Sequence, residues 1–133
     1  MTSVFADTYY FLALLNKGDA AHSKAVALSE KVTNPITTTL WVLTEVADAL
    51  SAPGFRPKFV QLLAALRADP FCTIVSPSLS LFEAGVALYA ERPDKHWTLT
   101  DCISFVVMRK QAITEALTGD RHFEQAGFTP LLV

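Results

Sequence analysis

The sequence predicts an α/β fold, a three-layer α/β/α sandwich around a central parallel sheet of four to five strands. Short apolar or β-branched runs (Val4-Phe5-Ala6, Ile36-Thr37-Thr38, Cys72-Thr73-Ile74-Val75, Ile113 to Leu117) recur along the chain. Longer helical patterns separate them, the alternation expected of parallel strands joined by right-handed crossovers. Apolar residues fill 51% of the 133 positions and charged ones only 18%, which implies a dense core and excludes a disordered polyelectrolyte. No internal repeat, low-complexity segment or linker divides the chain, so residues 1–133 read as one domain.

Taken in order, the first strand is Val4 to Ala6, and it stops abruptly at Asp7. Tyr9 to Leu15 reads as a helix closed by Asn16-Lys17-Gly18, and Asp19 is placed to cap a second helix running to about Val32. Asn34-Pro35 breaks the chain before the β-branched second strand. Thr39 to Ala52 is helical and apolar nearly all round, and Pro53-Gly54 stops it. An amphipathic helix spans about Pro57 to Ala68, and Pro77 ends the third strand. Leu79 to Ala90 is helical, Glu91 to Trp97 is a polar loop, and Thr100 to Gln111 is a strongly apolar helix. Thr118-Gly119-Asp120 breaks the fourth strand; a helical turn around Phe123 and a last strand, Thr129 to Val133, follow.

A net charge of −2 gives no basic surface for nucleic acid. A nucleic-acid substrate would therefore need another source of positive charge, such as a metal ion. Cys72 and Cys102 have neither metal-ligand spacing nor a disulfide framework, and read as buried thiols of a reducing cytoplasm. No Lys or Arg precedes Lys17, against a secretory signal, and no apolar stretch approaches the ~20 residues of a membrane helix. The expected location is cytoplasmic, with no membrane.

In an open parallel sheet, ligands bind beyond the carboxyl ends of the strands. Asp7 follows the first strand, Asp120 follows the fourth, Glu45 lies early in the helix after the second, and Asp101 opens the helix that leads into the fourth. All four should meet on one rim. Each acid has a plainer explanation. Asp7 can cap a helix, Asp101 can complete a capping box with Thr98, and Asp120 can be an ordinary turn residue. Glu45 resists such a reading. It sits among Leu40, Trp41, Val42, Leu43, Val46, Ala47 and Leu50, where a lone carboxylate is costly. Four clustered carboxylates with only Arg121 adjacent would repel one another, and a divalent cation relieves that. An all-oxygen set suits Mg²⁺, or Mn²⁺ as a substitute, rather than zinc. His22, His96 and His122 are scattered and read as surface residues.

Other chemistries on this architecture lack their residues. Asp7-Thr8-Tyr9-Tyr10 has no glycines for a dinucleotide site or P-loop, and Tyr9 stands where a haloacid-dehalogenase-type phosphatase needs its second Asp. Ser76-Pro77 replaces the phosphorylatable Asp of a receiver, and no Gly-x-Ser-x-Gly occurs.

With these residues in place, the chain resembles a PIN domain and, within that family, a VapC-type toxin of bacteria. The resemblance is carried by Phe5-Ala6-Asp7-Thr8 followed by Leu12-Ala13-Leu14-Leu15, by Glu45, and by the stretch from Trp97 through Asp101 to Phe105. Ala116-Leu117-Thr118-Gly119-Asp120-Arg121-His122-Phe123, then Ala126-Gly127-Phe128, completes it in the family's order. It implies an endoribonuclease with Asp7, Glu45, Asp101 and Asp120 as catalytic metal ligands. One metal would activate water, and a second could stabilise the leaving oxygen. It further implies an RNA substrate, a cognate antitoxin partner and a homodimer.

Thr8 and Ser104 match small polar positions near the family's site, where they can hold a ligand or water; helix capping or backbone bonding explains them as well. Arg121 is a phosphate candidate beside Asp120, or it neutralises the acids. The loop Arg92-Pro93-Asp94-Lys95-His96-Trp97 should overhang the groove, with Arg92 and Lys95 for phosphate and Trp97 to stack on a base or simply anchor the loop. Two positions depart from the family pattern. Tyr9 replaces a small Ser or Asn, and its ring is expected in the core, with base stacking in the groove as the alternative. His122 stands where some relatives carry a further acid, which leaves a second metal position open. Two other functions fit the acids: a non-catalytic interaction module that uses them to dock a basic partner, and a PIN nuclease outside toxin–antitoxin pairs.

Overall fold

Apolar Val4-Phe5-Ala6, buried on both sides, forms β1 (Val4–Ala6) at the centre of the sheet. A computed structural model, describing residues 2–133, adds β2 (Ile36–Thr39) and β3 (Cys72–Val75) on one side, β4 (Glu115–Leu117) and β5 (Thr129–Pro130) on the other. The order is β3-β2-β1-β4-β5 and every pairing is parallel. Seven helices flank this sheet among the described residues: α1 (Thr8–Leu15), α2 (His22–Lys31), α3 (Leu40–Ala49), α4 (Arg56–Ala68), α5 (Leu79–Glu91), α6 (Leu99–Lys110) and α7 (Arg121–Gln125). The α/β sandwich with a parallel five-stranded sheet is the one its residue pattern predicts.

Chain direction across the sheet reverses between β1 and β4, which makes that pair the topological switch point. Their register pairs Phe5 with Ala116 and Ala6 with Leu117, so Asp7 and Thr118 leave the sheet side by side. β2 is a strand of threonines, yet Thr37, Thr38 and Thr39 are all buried. Two of their hydroxyls are satisfied. Thr38 donates to the Ala6 carbonyl at 2.8 Å, and Thr39 caps α3 by accepting from the Val42 amide at 3.1 Å. That cap starts α3 directly at the carboxyl end of β2, which puts Glu45 in its second turn.

The core between sheet and helices is aromatic at the β1–β4 side: the Phe105 ring meets Phe123 edge-on at 4.9 Å and Trp97 at 5.1 Å. α5 and α6 pack closely because Gly85 has no side chain; a methyl group there would collide with the Ile103 side chain.

Three boundaries differ from expectation. Asp19 does not cap α2. Its carboxylate accepts from the Ala21 amide and its carbonyl from His22, so it forms a turn and α2 begins at His22. β4 begins at Glu115 rather than Ile113, because Ala112 takes a left-handed φ of 54° and Ile113 bonds back to the Met108 carbonyl. β5 ends at Pro130, which has no amide to donate, although Leu131 and Leu132 still bond across to Ala116 and Thr118. The Cys102 thiol is buried, while Cys72 lies half-buried on the edge strand; both are free.

Candidate metal centre

Asp7 sits at the end of β1, 4% exposed, with backbone geometry that starts α1 but no side-chain capping hydrogen bond. The capping explanation therefore fails for it. Its Oδ2 instead accepts from the Thr118 hydroxyl at 2.9 Å, across the switch point. Thr118, itself fully buried, also accepts the Asp120 amide at 3.1 Å, so one hydroxyl holds both acids.

Asp101 and Asp120 do serve as caps, and they carry a second contact each. Asp101 completes the capping box of α6: its Oδ2 accepts the Thr98 amide at 3.1 Å while its own amide donates to Thr98 Oγ1 at 3.0 Å. Asp120 caps α7 by accepting the His122 amide at 2.9 Å. The His122 ring then lies between the two carboxylates, its Nδ1 2.9 Å from Asp101 Oδ2 and 3.5 Å from Asp120 Oδ1. One ligating atom from each of Asp101, Asp120 and His122 falls within 4.8 Å of the others. Asp7 and Glu45 fall outside that group; Glu45, half-buried on α3, has its Oε1 accepting from the Thr8 hydroxyl at 2.5 Å, one residue past Asp7.

Electrostatics register the crowding. Burial pushes the Asp7 carboxyl up to about 7; the Thr118 hydroxyl opposes this, and the negative charges of Asp101 and Asp120 add to it. Asp101 is likewise raised, chiefly by burial and further by Asp120, against the pull of the Thr98 amide and His122. No Lys or Arg forms an ion pair with any of these acids among the described residues. Desolvated carboxylates with converging oxygen atoms and no fixed cation fit a hard divalent ion.

Several expected site residues lie elsewhere. Ser104 is fully buried, and its hydroxyl donates to the Thr100 carbonyl of its own helix at 3.0 Å, so it is closed to a substrate. Trp97 is 5% exposed and cannot stack on a base: its ring packs on Phe105, its Nε1 donates to Gln125 at 3.0 Å, and Arg92 covers it at 5.1 Å. It anchors the loop. The Arg92 guanidinium is held by two 3.0 Å bonds to Asp94. Arg92 and Lys95 line a cleft with Tyr89, His96 and Cys102, and none of the four acids borders it. Arg121 is exposed beside Glu124 and Gln125 and neutralises none of the acids.

The Tyr9 ring is not in the core. It is 40% exposed and lies flush against Gly119, where a methyl group would come within 2.6–2.8 Å of Cζ, Cε1 and Oη. His122 is no scattered surface residue either, since its half-buried ring bonds Asp101. Thr118 and His122 were detectable only through their spacing to Asp120. The His22 ring, on α2, instead bonds the Ala13 carbonyl of α1 at 2.8 Å.

The family model described as PIN domain matches residues 4–129. Over 126 residues the chain is 30% identical to the "23S rRNA-specific endonuclease VapC20" of Mycobacterium tuberculosis, strains CDC 1551 / Oshkosh and ATCC 25618 / H37Rv; the match covers 94% of this chain and 95% of the relative. The crystal structure of M. tuberculosis VapC20, described as a Sarcin-Ricin loop cleaving toxin, superimposes with a TM-score of 0.86 at 28% identity, covering 95% of this chain and 96% of that one.

Proposed function

The chain belongs to the PIN-domain family, and from that premise we propose that it is a metal-dependent endoribonuclease acting as the toxin of a VapBC-type toxin–antitoxin pair. The carrying observation is that Asp101 and Asp120 come within ligating reach of one another, while Asp7 is tied to Asp120 through the Thr118 hydroxyl and Glu45 to Thr8, the residue after Asp7. Residues 1–133 act in this reading as a single PIN-like unit, in the cytoplasm. No helix among the described residues is long and apolar enough to cross a membrane.

Asp7, Glu45, Asp101 and Asp120 would hold Mg²⁺, or Mn²⁺ in its place. When bound there, the cation supplies positive charge for a phosphodiester and lowers the pKa of water for in-line attack at phosphorus. The protein's own work is positional. Thr118 and Thr8 aim Asp7 and Glu45, and the capping bonds lock Asp101 and Asp120 in one rotamer each. Arg121, exposed directly after Asp120, contacts the backbone of the RNA. A cognate antitoxin silences the site by placing a cation over the acids, and the chain pairs with a second copy of itself.

The 30% identity to a 23S rRNA-specific endonuclease makes 23S rRNA the first substrate to test. Cleavage-site mapping on total cellular RNA, wild type beside Asp7→Asn, tests the proposal. A discrete cut made by wild type alone supports it. Equal cutting by both proteins, or none by either with Mg²⁺ and Mn²⁺ supplied, rejects it.

A further inference from the structure

We infer that Tyr9 is a stacking platform for the RNA: its ring receives an unpaired base beside the scissile phosphate, which makes Tyr9 a specificity-determining residue. The inference rests on the metal-nuclease reading and adds to it a residue that is neither an acid nor a cation. Tyr9 and Tyr10 are neighbours in the first turn of α1, and the helix turns them to different sides. Tyr10 is buried against Phe11, with ring centroids 5.6 Å apart. Tyr9 stays open to solvent, and its hydroxyl has no hydrogen-bond partner among the described residues.

Gly119 fixes where the ring lies. The two are so close that a side chain on Gly119 would meet Cζ, Cε1 and Oη of the tyrosine. Tyr9 stands two residues past Asp7, and Gly119 lies between Asp120 and Thr118, the residue that bonds Asp7. The ring therefore spans the β1–β4 seam beside the carboxylates that would hold the cation, with one side on Gly119 and the rest free.

Chemistry decides what such a ring can receive. An acidic rim repels phosphate, and a net charge of −2 gives RNA little to grip apart from the cation. Stacking needs no charge. Every base has a π face, and one base on an aromatic ring is worth about tenfold or more in affinity. A base inside a duplex has both faces covered by its neighbours, so the platform selects a loop or bulge nucleotide. Tyr89, the other exposed tyrosine, borders the cleft of Arg92 and Lys95, which none of the four acids lines.

Steady-state cleavage of a short RNA spanning the cut mapped on total RNA compares wild type, Tyr9→Leu and Tyr9→Phe. Tyr9→Leu keeps an apolar cover over Gly119 but has no π face. It should raise KM about tenfold while kcat changes less than about threefold, and Tyr9→Phe should restore KM to within about twofold of wild type. A second readout is independent of turnover. With 5-bromouridine at either nucleotide flanking the cut, irradiation should crosslink the RNA to Tyr9, as located by peptide mass spectrometry. A wild-type KM in Tyr9→Leu, or crosslinks confined to other residues, would overturn the inference and leave the nuclease reading standing. A fall in kcat at unchanged KM would also overturn it, because the ring would then serve only to seat the acids. Absence of any discrete cut by the wild type would reject the nuclease reading itself, and this inference with it.

Discussion

The Thr118 hydroxyl donates to Asp7 Oδ2 at 2.9 Å, joining residues 111 positions apart across the β1–β4 pair. The bond exists because Ala6 and Leu117 are register partners, so the next residue on each strand emerges beside the other. It is also the main force restraining the upward shift of Asp7.

Removing that hydroxyl leaves a buried carboxylate and the Asp120 amide short of a partner. Thr118→Val should therefore lose about 1–3 kcal/mol in urea unfolding at pH 8. Because the lost bond holds the Asp7 pKa down in the metal-free protein, the pH needed for Mg²⁺ or Mn²⁺ to bind should move up. An unshifted binding profile would show that the cation does not compete with a proton on Asp7.

Asp7 also makes the metal-free protein pH-sensitive. Its folded pKa of about 7 stands above the ordinary 3.8, so the folded state keeps a proton that the unfolded chain releases. That stabilisation is fully present below pH 3.8 and is lost as pH rises through 7. Asp7→Asn never carries the charge. In EDTA it should be more stable than wild type at pH 8, by on the order of 4 kcal/mol, and nearly equal to it at pH 4. Denaturant melts at the two pH values check the sign, and a less stable variant at pH 8 would contradict it.

Gly119 makes room for its neighbour's ring. A Cβ would land 2.6 Å from the outer end of the half-exposed Tyr9 ring, so Gly119→Ala should push the ring off the rim at a cost below about 1 kcal/mol. Tyr9→Ala should relieve most of that cost, and the double-mutant cycle should be clearly non-additive. Additive effects would mean that the two residues do not meet.

Ser104 provides a contrast. With its hydroxyl committed to the Thr100 carbonyl inside α6, Ser104→Ala should change cleavage less than about twofold and stability by less than about 1 kcal/mol. A large loss of turnover with folding intact would return Ser104 to the site.

The alternation of apolar strands and helices was legible because a parallel sheet covered on both faces leaves continuous hydrophobic runs. The placing of the acids at one edge of the sheet, where Asp101 and Asp120 approach each other, was legible for a related reason. Each is tied to a strand end or to a helix that starts at the same edge, so topology alone predicts convergence. What stayed hidden depended on neighbours across the sheet. Tyr9 reads as a core aromatic until β4 is placed beside β1 and Gly119 is found to make room on the rim. His122 reads as a surface residue until α7 turns its ring back toward Asp101. Trp97 and Ser104 each carry two readings in the sequence, and inward packing selects the plainer one, a loop anchor and a hydroxyl bonded to its own helix.

The most direct test strips the wild type and Asp7→Asn with EDTA, then follows cleavage of 23S rRNA as Mg²⁺ or Mn²⁺ is restored. The account predicts no cutting by either protein while stripped, recovery by the wild type on adding the cation, and silence from a folded Asp7→Asn at every concentration. Cutting that persists in EDTA, or recovery in Asp7→Asn that matches the wild type, would contradict it.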